Sequence, residues 1–168
     1  TRFEYAGLKL GSAEFRGDLT AAVTVRNAGG APGREVVQLY VSAPGKALPK
    51  PALELRGFAK TRTLKPGESE TLTFTLTARD LASFDVASSS WRAEAGTYAV
   101  KVGASSEDVR QTATFTKAAE ETVGAVSKAA YLDPALPVDR RLDDLVSRMT
   151  IEEKASQLVN RTRAIVRL

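Results

Sequence analysis

Gly33-Arg34-Glu35-Val36-Val37-Gln38-Leu39-Tyr40-Val41 is the stretch on which the reading of the fold turns. It is dense in Val, Leu and Tyr, residues that fit a pleated, half-buried surface. Side chains alternate along a strand, so Val37, Leu39 and Val41 project to one face and Val36, Gln38 and Tyr40 to the other. Apolar residues on both faces mark a central strand rather than an edge. Asn27-Ala28-Gly29-Gly30 before it and Ala43-Pro44-Gly45 after it are turn-forming runs that isolate it as one strand.

Outward from this strand the same grammar repeats. Phe3 to Leu10 alternates apolar and polar residues and reads as a first strand. Leu19, Ala21, Val23 and Val25 alternate with Thr20, Ala22, Thr24 and Arg26 in a second, with one face buried. Leu53 to Leu64, centred on Leu55 and Phe58, gives a strand after the central one. In Leu64-Lys65-Pro66-Gly67-Glu68, Pro presets one central dihedral and Gly takes the positive one of a type II turn. Leu72, Phe74 and Leu76 then alternate with threonines. Ala78 to Leu81 reads as a short helical turn, Phe84 to Trp91 as a weak strand, and Tyr98 to Val102 and Val109 to Phe115 as the last strands. Short strands about ten residues apart with Gly/Pro turns predict an all-β, antiparallel sandwich of immunoglobulin type.

The pattern changes towards the C-terminus. Lys117 to Ala130 is rich in Ala, Glu, Thr, Gly and Ser and reads as a linker over 118–130, although its Ala and Glu would also suit a frayed helix. Leu142, Leu145, Val146 and Met149 then fall at helical spacing, and Pro137 suits the helix start. Thr150-Ile151-Glu152-Glu153 is a capping-box pattern. It predicts a second helix from Ile151 to about residue 160, burying Ile151, Ala155, Leu158 and Val159. The expected helices have an apolar face and too little chain to cover it. With Thr1 rather than Met at the start and no leader pattern, the chain reads as an excerpt of a longer polypeptide.

Composition narrows the chemistry. The 168 residues are 43% hydrophobic and 26% charged, globular rather than disordered. No apolar run approaches the ~20 residues of a membrane-spanning helix. There is no Cys and no His. That removes disulfides, thiolate metal sites and any Ser-His-Asp or Cys-His mechanism within the chain. The net charge of +4 is spread out, without the basic stripe and stacking aromatics that nucleic-acid binding needs. No cofactor, metal, nucleic-acid or membrane partner is expected.

Several motifs agree in order with one family. The central stretch, Glu54-Leu55-Arg56-Gly57-Phe58, Leu64 to Ser69, Trp91, Gly96-Thr97-Tyr98 and Val102 to Ser106 resemble the fibronectin type III-like domain of glycoside hydrolase family 3. The likeness covers about residues 3–117, so a sandwich domain is expected over 1–117. Tyr131-Leu132-Asp133-Pro134 and Arg141 to Lys154 look like the start of the same family's catalytic barrel, and Gln157-Leu158 and Ala164 to Leu168 fit the lead-in to its first strand. The resemblance thus makes 131–168 the truncated N-terminal helices of a barrel domain, in a permuted domain order.

The resemblance implies retaining hydrolysis of β-glucosides or β-xylosides, which needs a nucleophilic carboxylate and a carboxyl acid/base. In the family these lie late in the barrel and in an α/β sandwich domain. Neither region is in this chain, so no catalytic, cofactor-binding or metal-binding residue is expected here. The implied partners are the missing barrel and α/β sandwich domains, with a β-linked oligosaccharide as substrate of the whole enzyme. Asp143-Asp144 and Glu152-Glu153 are tempting pairs, but adjacent helical residues point about 100° apart. Capping and solvation explain them better, and loop capping explains Asp80 and Asp85. Trp91 and Tyr98 are expected in the core rather than as an exposed sugar-stacking platform, and Tyr5 and Tyr40 as core or interface residues. The 42–52 loop suits either a docking surface or a ligand loop. An autonomous carbohydrate- or protein-binding module is the alternative function, and two or three coplanar exposed rings would favour it.

Overall fold

The computed structural model describes residues 1–125 and 129–158. They divide into two compact units, residues 1–125 and residues 126–168. In the first unit, strands β1 (Phe3–Leu10), β2 (Asp18–Asn27) and β5 (Ser69–Thr77) form one antiparallel sheet in the order β1-β2-β5. Strands β3 (Val36–Ser42), β4 (Glu54–Lys60), β8 (Gly96–Gly103) and β9 (Val109–Lys117) form a second, ordered β4-β3-β8-β9. The two sheets bury their facing sides against each other, which is the sandwich expected from the alternation.

The strand at the heart of the sequence is central in the structure, hydrogen-bonded to β4 on one side and β8 on the other. Its inward residues Val37, Leu39 and Val41 are fully buried with Val100 and Val102 of β8. Ala21, Val23 and Val25 of β2 and Phe74 and Leu76 of β5 close over them from the other sheet. Leu72 is only partly buried. The turn before β5 forms as read. Gly67 has φ +83°, and the Glu68 N–H donates to the Lys65 carbonyl at 3.0 Å.

Two strand and linker readings need correction. Phe84 to Trp91 is not one weak strand but a hairpin, β6 (Ser83–Asp85) and β7 (Ser90–Ala93), reached through the short helix α1 (Ala78–Leu81). Asp85 makes the turn by accepting from the Ala87 N–H at 3.0 Å and the Ser88 hydroxyl at 2.6 Å. The supposed linker 118–130 also contains a strand, β10 (Glu121–Ala125), which pairs with β7 to give a third small sheet, β10-β7-β6. Glu120 meets Arg92 of β7, and Glu121 accepts from Lys117 at 2.9 Å. β-Branched Thr122 and Val123 suit the pairing. The first unit therefore runs to Ala125 rather than to 117.

The second unit holds a 3-10 turn (Ala130–Leu132), helix α2 (Val138–Arg148) and helix α3 (Ile151–Ser156). Pro137 stands at the N-cap of α2. The capping box forms: the Glu153 N–H donates to the Thr150 hydroxyl at 3.2 Å, and the Thr150 N–H to the Glu153 carboxylate at 2.7 Å. Leu142 and Val146 of α2 are exposed, as expected of a face with too little chain to cover it, whereas Ile151, Ala155 and Leu158, expected to be buried by the second helix, are exposed as well. The readings at Val159 and at Ala164 to Leu168 lie outside the described residues.

If Leu39 is the centre of the core, Leu39→Ala lowers stability by about 2–5 kcal/mol, the usual range for an emptied core site. Denaturant melts should show a lower midpoint at unchanged slope. A loss below about 1 kcal/mol would contradict a central β3.

Candidate functional site

The carboxylates that invite a catalytic reading are engaged in local structure. Asp144 accepts from the Tyr131 N–H at 3.1 Å and pairs with Arg148 at 2.9 Å, and the Arg148 hydrogen bond holds its carboxyl below the usual range. Glu153 closes the α3 cap. Asp80 accepts from both the N–H and the hydroxyl of Thr77, at 2.7 and 2.8 Å, and so starts α1. Asp85 is held ionised first by the Ser88 hydroxyl and then by Arg92, which it meets at 3.0 Å. Among the described residues no cluster of three or more acidic side chains could hold a metal ion.

The aromatics divide. Tyr98 is fully buried, stacked on Phe115 at 5.3 Å between ring centroids, and its hydroxyl donates to the Glu94 carbonyl at 2.8 Å. Burial, then the nearby Glu94 carboxylate, push that hydroxyl up to about 12, so it remains a donor throughout the neutral range. This is the tyrosine corner of immunoglobulin-like sandwiches, at the start of the strand that follows the sheet-to-sheet crossing. Tyr5 is buried and donates to Glu35 at 2.8 Å, and Tyr40 is buried with its hydroxyl on Gln38. Trp91, expected in the core, packs only against its margin. Phe84 meets it edge-on at 5.4 Å, and the Arg79 guanidinium covers its face at 3.7 Å from the ring centre. The described rings therefore make no coplanar platform for a sugar.

Beside the tyrosine corner lies the most developed polar constellation of the unit. The side chains of Lys50 and Glu94 are 2% and 5% exposed and meet at 3.0 Å. Glu94 also accepts from the Ala47 N–H at 2.6 Å. Burial alone would push this carboxyl up. The Ala47 N–H and the Lys50 ammonium outweigh it and hold the carboxyl below the usual range. The 42–52 loop is thereby strapped across the end of the second sheet. Ser42 donates to the Ala52 carbonyl at 2.6 Å, and Pro44 sits against Gly96, where φ +145° would strain any residue with a side chain and a Cβ would come within 3.1 Å of Pro44. Sequence reasoning marked this loop by its prolines but missed the ion pair, because 44 residues separate its partners. A lone Lys in a proline-rich loop carries no local signal of burial.

Geometry of this kind supports a structural corner and a fixed surface loop, not a reaction. Three-four strand topology with the tyrosine corner defines a fibronectin type III class of sandwich. Residues 35–106 match the fibronectin type III-like domain family. Over 96 residues the chain is 49% identical to Beta-glucosidase A of Butyrivibrio fibrisolvens, covering 55% of this chain and 12% of that protein. Over 152 residues it is 32% identical to Thermostable beta-glucosidase B of Acetivibrio thermocellus, covering 81% of this chain and 20% of that one. Among solved structures, beta-glucosidase 3B of Thermotoga neapolitana in complex with alpha-D-glucose superposes with TM-score 0.67 at 41% identity, over 71% of this chain and 16% of that one. The beta-glucosidase of Kluyveromyces marxianus in complex with glucose gives TM-score 0.69 at 33% identity, over 75% and 15%. The sandwich is a fibronectin type III-like domain of the glycoside hydrolase family 3 type. The chain spans only 12% to 20% of the two curated relatives just named, which are larger enzymes with further domains.

The ion pair gives a direct test. Removing one partner strands the other charge in the interior, so Glu94→Ala should cost about 3–5 kcal/mol. The double change Lys50→Met with Glu94→Ala should recover a large part of that loss, read as coupling in a double-mutant cycle of melts. The pH dependence follows from the depressed carboxyl. Its stabilising contribution is complete above the ordinary glutamate value of about 4.3 and disappears as pH falls through the lower folded value. Glu94→Ala should therefore flatten the acid limb of the stability curve.

Proposed function

We propose that the chain is a non-catalytic part of a retaining β-glycosidase, a β-glucosidase or β-xylosidase, whose fibronectin type III-like sandwich supports the catalytic domains. The observation that carries this reading is the identity of 41% to 49% with β-glucosidases, confined to a small share of each enzyme's length. The partners in this reading are a catalytic barrel and an α/β sandwich domain of the same polypeptide, and the substrate of the whole is a β-linked oligosaccharide. Helices α2 and α3 are the opening helices of the barrel, after a permuted order of domains. Their uncovered apolar stripe of Leu142, Leu145, Val146, Met149 and Leu158 suits helices that await a larger domain. The reading as an autonomous binding module is weaker, since Trp91 is covered by Arg79 and Tyr98 is interior.

Aryl β-glucoside and β-xyloside assays test the proposal. The full-length gene product should hydrolyse at least one class with retention of configuration, while the 168-residue chain shows no turnover above background. Turnover by the chain alone that disappears in Asp143→Asn or Glu153→Gln would overturn the non-catalytic assignment. A full-length product inactive on both classes would overturn the glycosidase reading.

A further inference from the structure

The edge strand β4 turns an apolar face to solvent, and a break in its register is what assembles that face. Phe58 is 72% exposed, Leu55 50% and Val36, on the neighbouring β3, 39%. In a regular strand residues three apart face opposite sides of the sheet. Here the pairing shifts between Leu39 and Tyr40, so that Leu55 lies opposite Tyr40 and Phe58 opposite Gln38. Tyr40 and Gln38 share the outer face, and the extra residue Arg56 therefore brings Leu55 and Phe58 out on one side together. Val36, opposite Lys60, extends the same surface. Its floor is polar-satisfied: Tyr40 is buried with its hydroxyl on Gln38, and Gln38 donates to the Ala104 carbonyl at 2.9 Å.

The margin is basic. Lys60 pairs in register with Val36, and Lys101 of β8 with Tyr40, so both belong to this face. Neither lysine has an ion pair among the described residues. Arg56 meets Glu54 at 3.0 Å through Nη2, while its buried Nε has no hydrogen-bond partner among the described residues. An apolar centre with a charged rim is the anatomy of a protein docking surface. It is not that of a sugar site, since Phe58 is its sole exposed ring among the described residues.

We infer that this β3-β4 face seats the sandwich on another domain of the same polypeptide, outside these 168 residues, through a surface that is apolar at its centre and carries carboxylates at its rim. The inference rests on the supporting role proposed above and names the surface that performs it. Two observations select the occupant. The two curated relatives named above are enzymes of which this chain spans 12% and 20%, so in the supporting reading most of the polypeptide is available to dock at high effective concentration. The rim carries Lys60 and Lys101, neither of them paired among the described residues, which calls for acidic groups opposite. A second copy of this chain docking on the same face about a two-fold axis would bring these cations towards one another.

The test uses the full-length gene product and four variants: Phe58→Asp, Leu55→Asp, Lys101→Glu and, as a control at the tip of the β6-β7 hairpin, Val86→Asp. The 168-residue chain carrying each substitution should melt as the unsubstituted chain does, which shows that the sandwich still folds. In the full-length protein, Phe58→Asp and Leu55→Asp should release the sandwich as a separate, lower-temperature calorimetric transition. Cleavage within it by thermolysin should rise about tenfold or more, as for loss of an interface anchor. Lys101→Glu should act in the same direction more weakly, and Val86→Asp should leave a single transition. Release by Val86→Asp with no effect of Phe58→Asp or Leu55→Asp would overturn the surface assigned here while leaving the supporting role intact. Independent melting of the sandwich in the unsubstituted full-length protein would overturn the supporting role as well.

Discussion

The corner at Glu94 and Tyr98 fixes how the chain enters the second sheet and ties that entry to the loop after β3. Tyr98 enters the core at the start of β8 and is stacked on Phe115. Its hydroxyl, too deep to reach water, finds the carbonyl of Glu94 four residues back. The Glu94 carboxylate is itself buried and reaches the other way, to Lys50 and the Ala47 N–H of the loop after β3. One short segment therefore closes the crossing between the sheets, starts the strand beside β3 and fastens the 42–52 loop. Each polar group at the corner is buried, and an unpaired buried polar group is costly. Alternative paths for the crossing would break several such pairings at once.

The parts of the fold that were legible in the sequence are those in which one strand carries its own pattern. Leu19 to Val25 and Leu72 to Leu76 alternate because one side meets the core and the other water. In Val36 to Val41, Val37, Leu39 and Val41 meet the core, and on the outer face Tyr40 is buried while Val36 is left exposed. The Pro66-Gly67 turn and the Thr150 cap are local chemistry and formed as read. The parts that escaped depend on partners distant in sequence. Thr122 and Val123 are too short a local signal to announce a strand at residues 121–125, since what makes them one is β7, about thirty residues earlier. The hairpin within residues 83–93 was hidden because its turn is made by Asp85 and serines, and Ser89 rather than a glycine takes the positive φ of +48°.

The candidate site shows the same division. The capping role of Asp80 and Glu153 could be read from spacing, because a cap is a contact within one helical turn. Trp91 could not be placed, since an aromatic at strand spacing suits both a core and a margin covered by Arg79. Leu55 and Phe58 were read as the centre of a strand. Their common outward direction depends on a register shift against β3, which no single-strand pattern carries. The comparisons supply what geometry alone lacks, namely the enzyme family in which such a sandwich occurs.

The central claim is that the sandwich is one cooperative unit built around β3, able to hold its structure without support from the helices that follow it. Native-state amide hydrogen exchange on the 168-residue chain tests it most directly. The amides of Leu39, Val41, Val100 and Val102 should exchange only through global opening and share one opening free energy. Those of Leu142, Leu145 and Val146 should exchange far faster, through local opening of a helix whose apolar stripe is uncovered. Equal protection of the two groups would contradict the account, because it would make the helices part of the same cooperative unit.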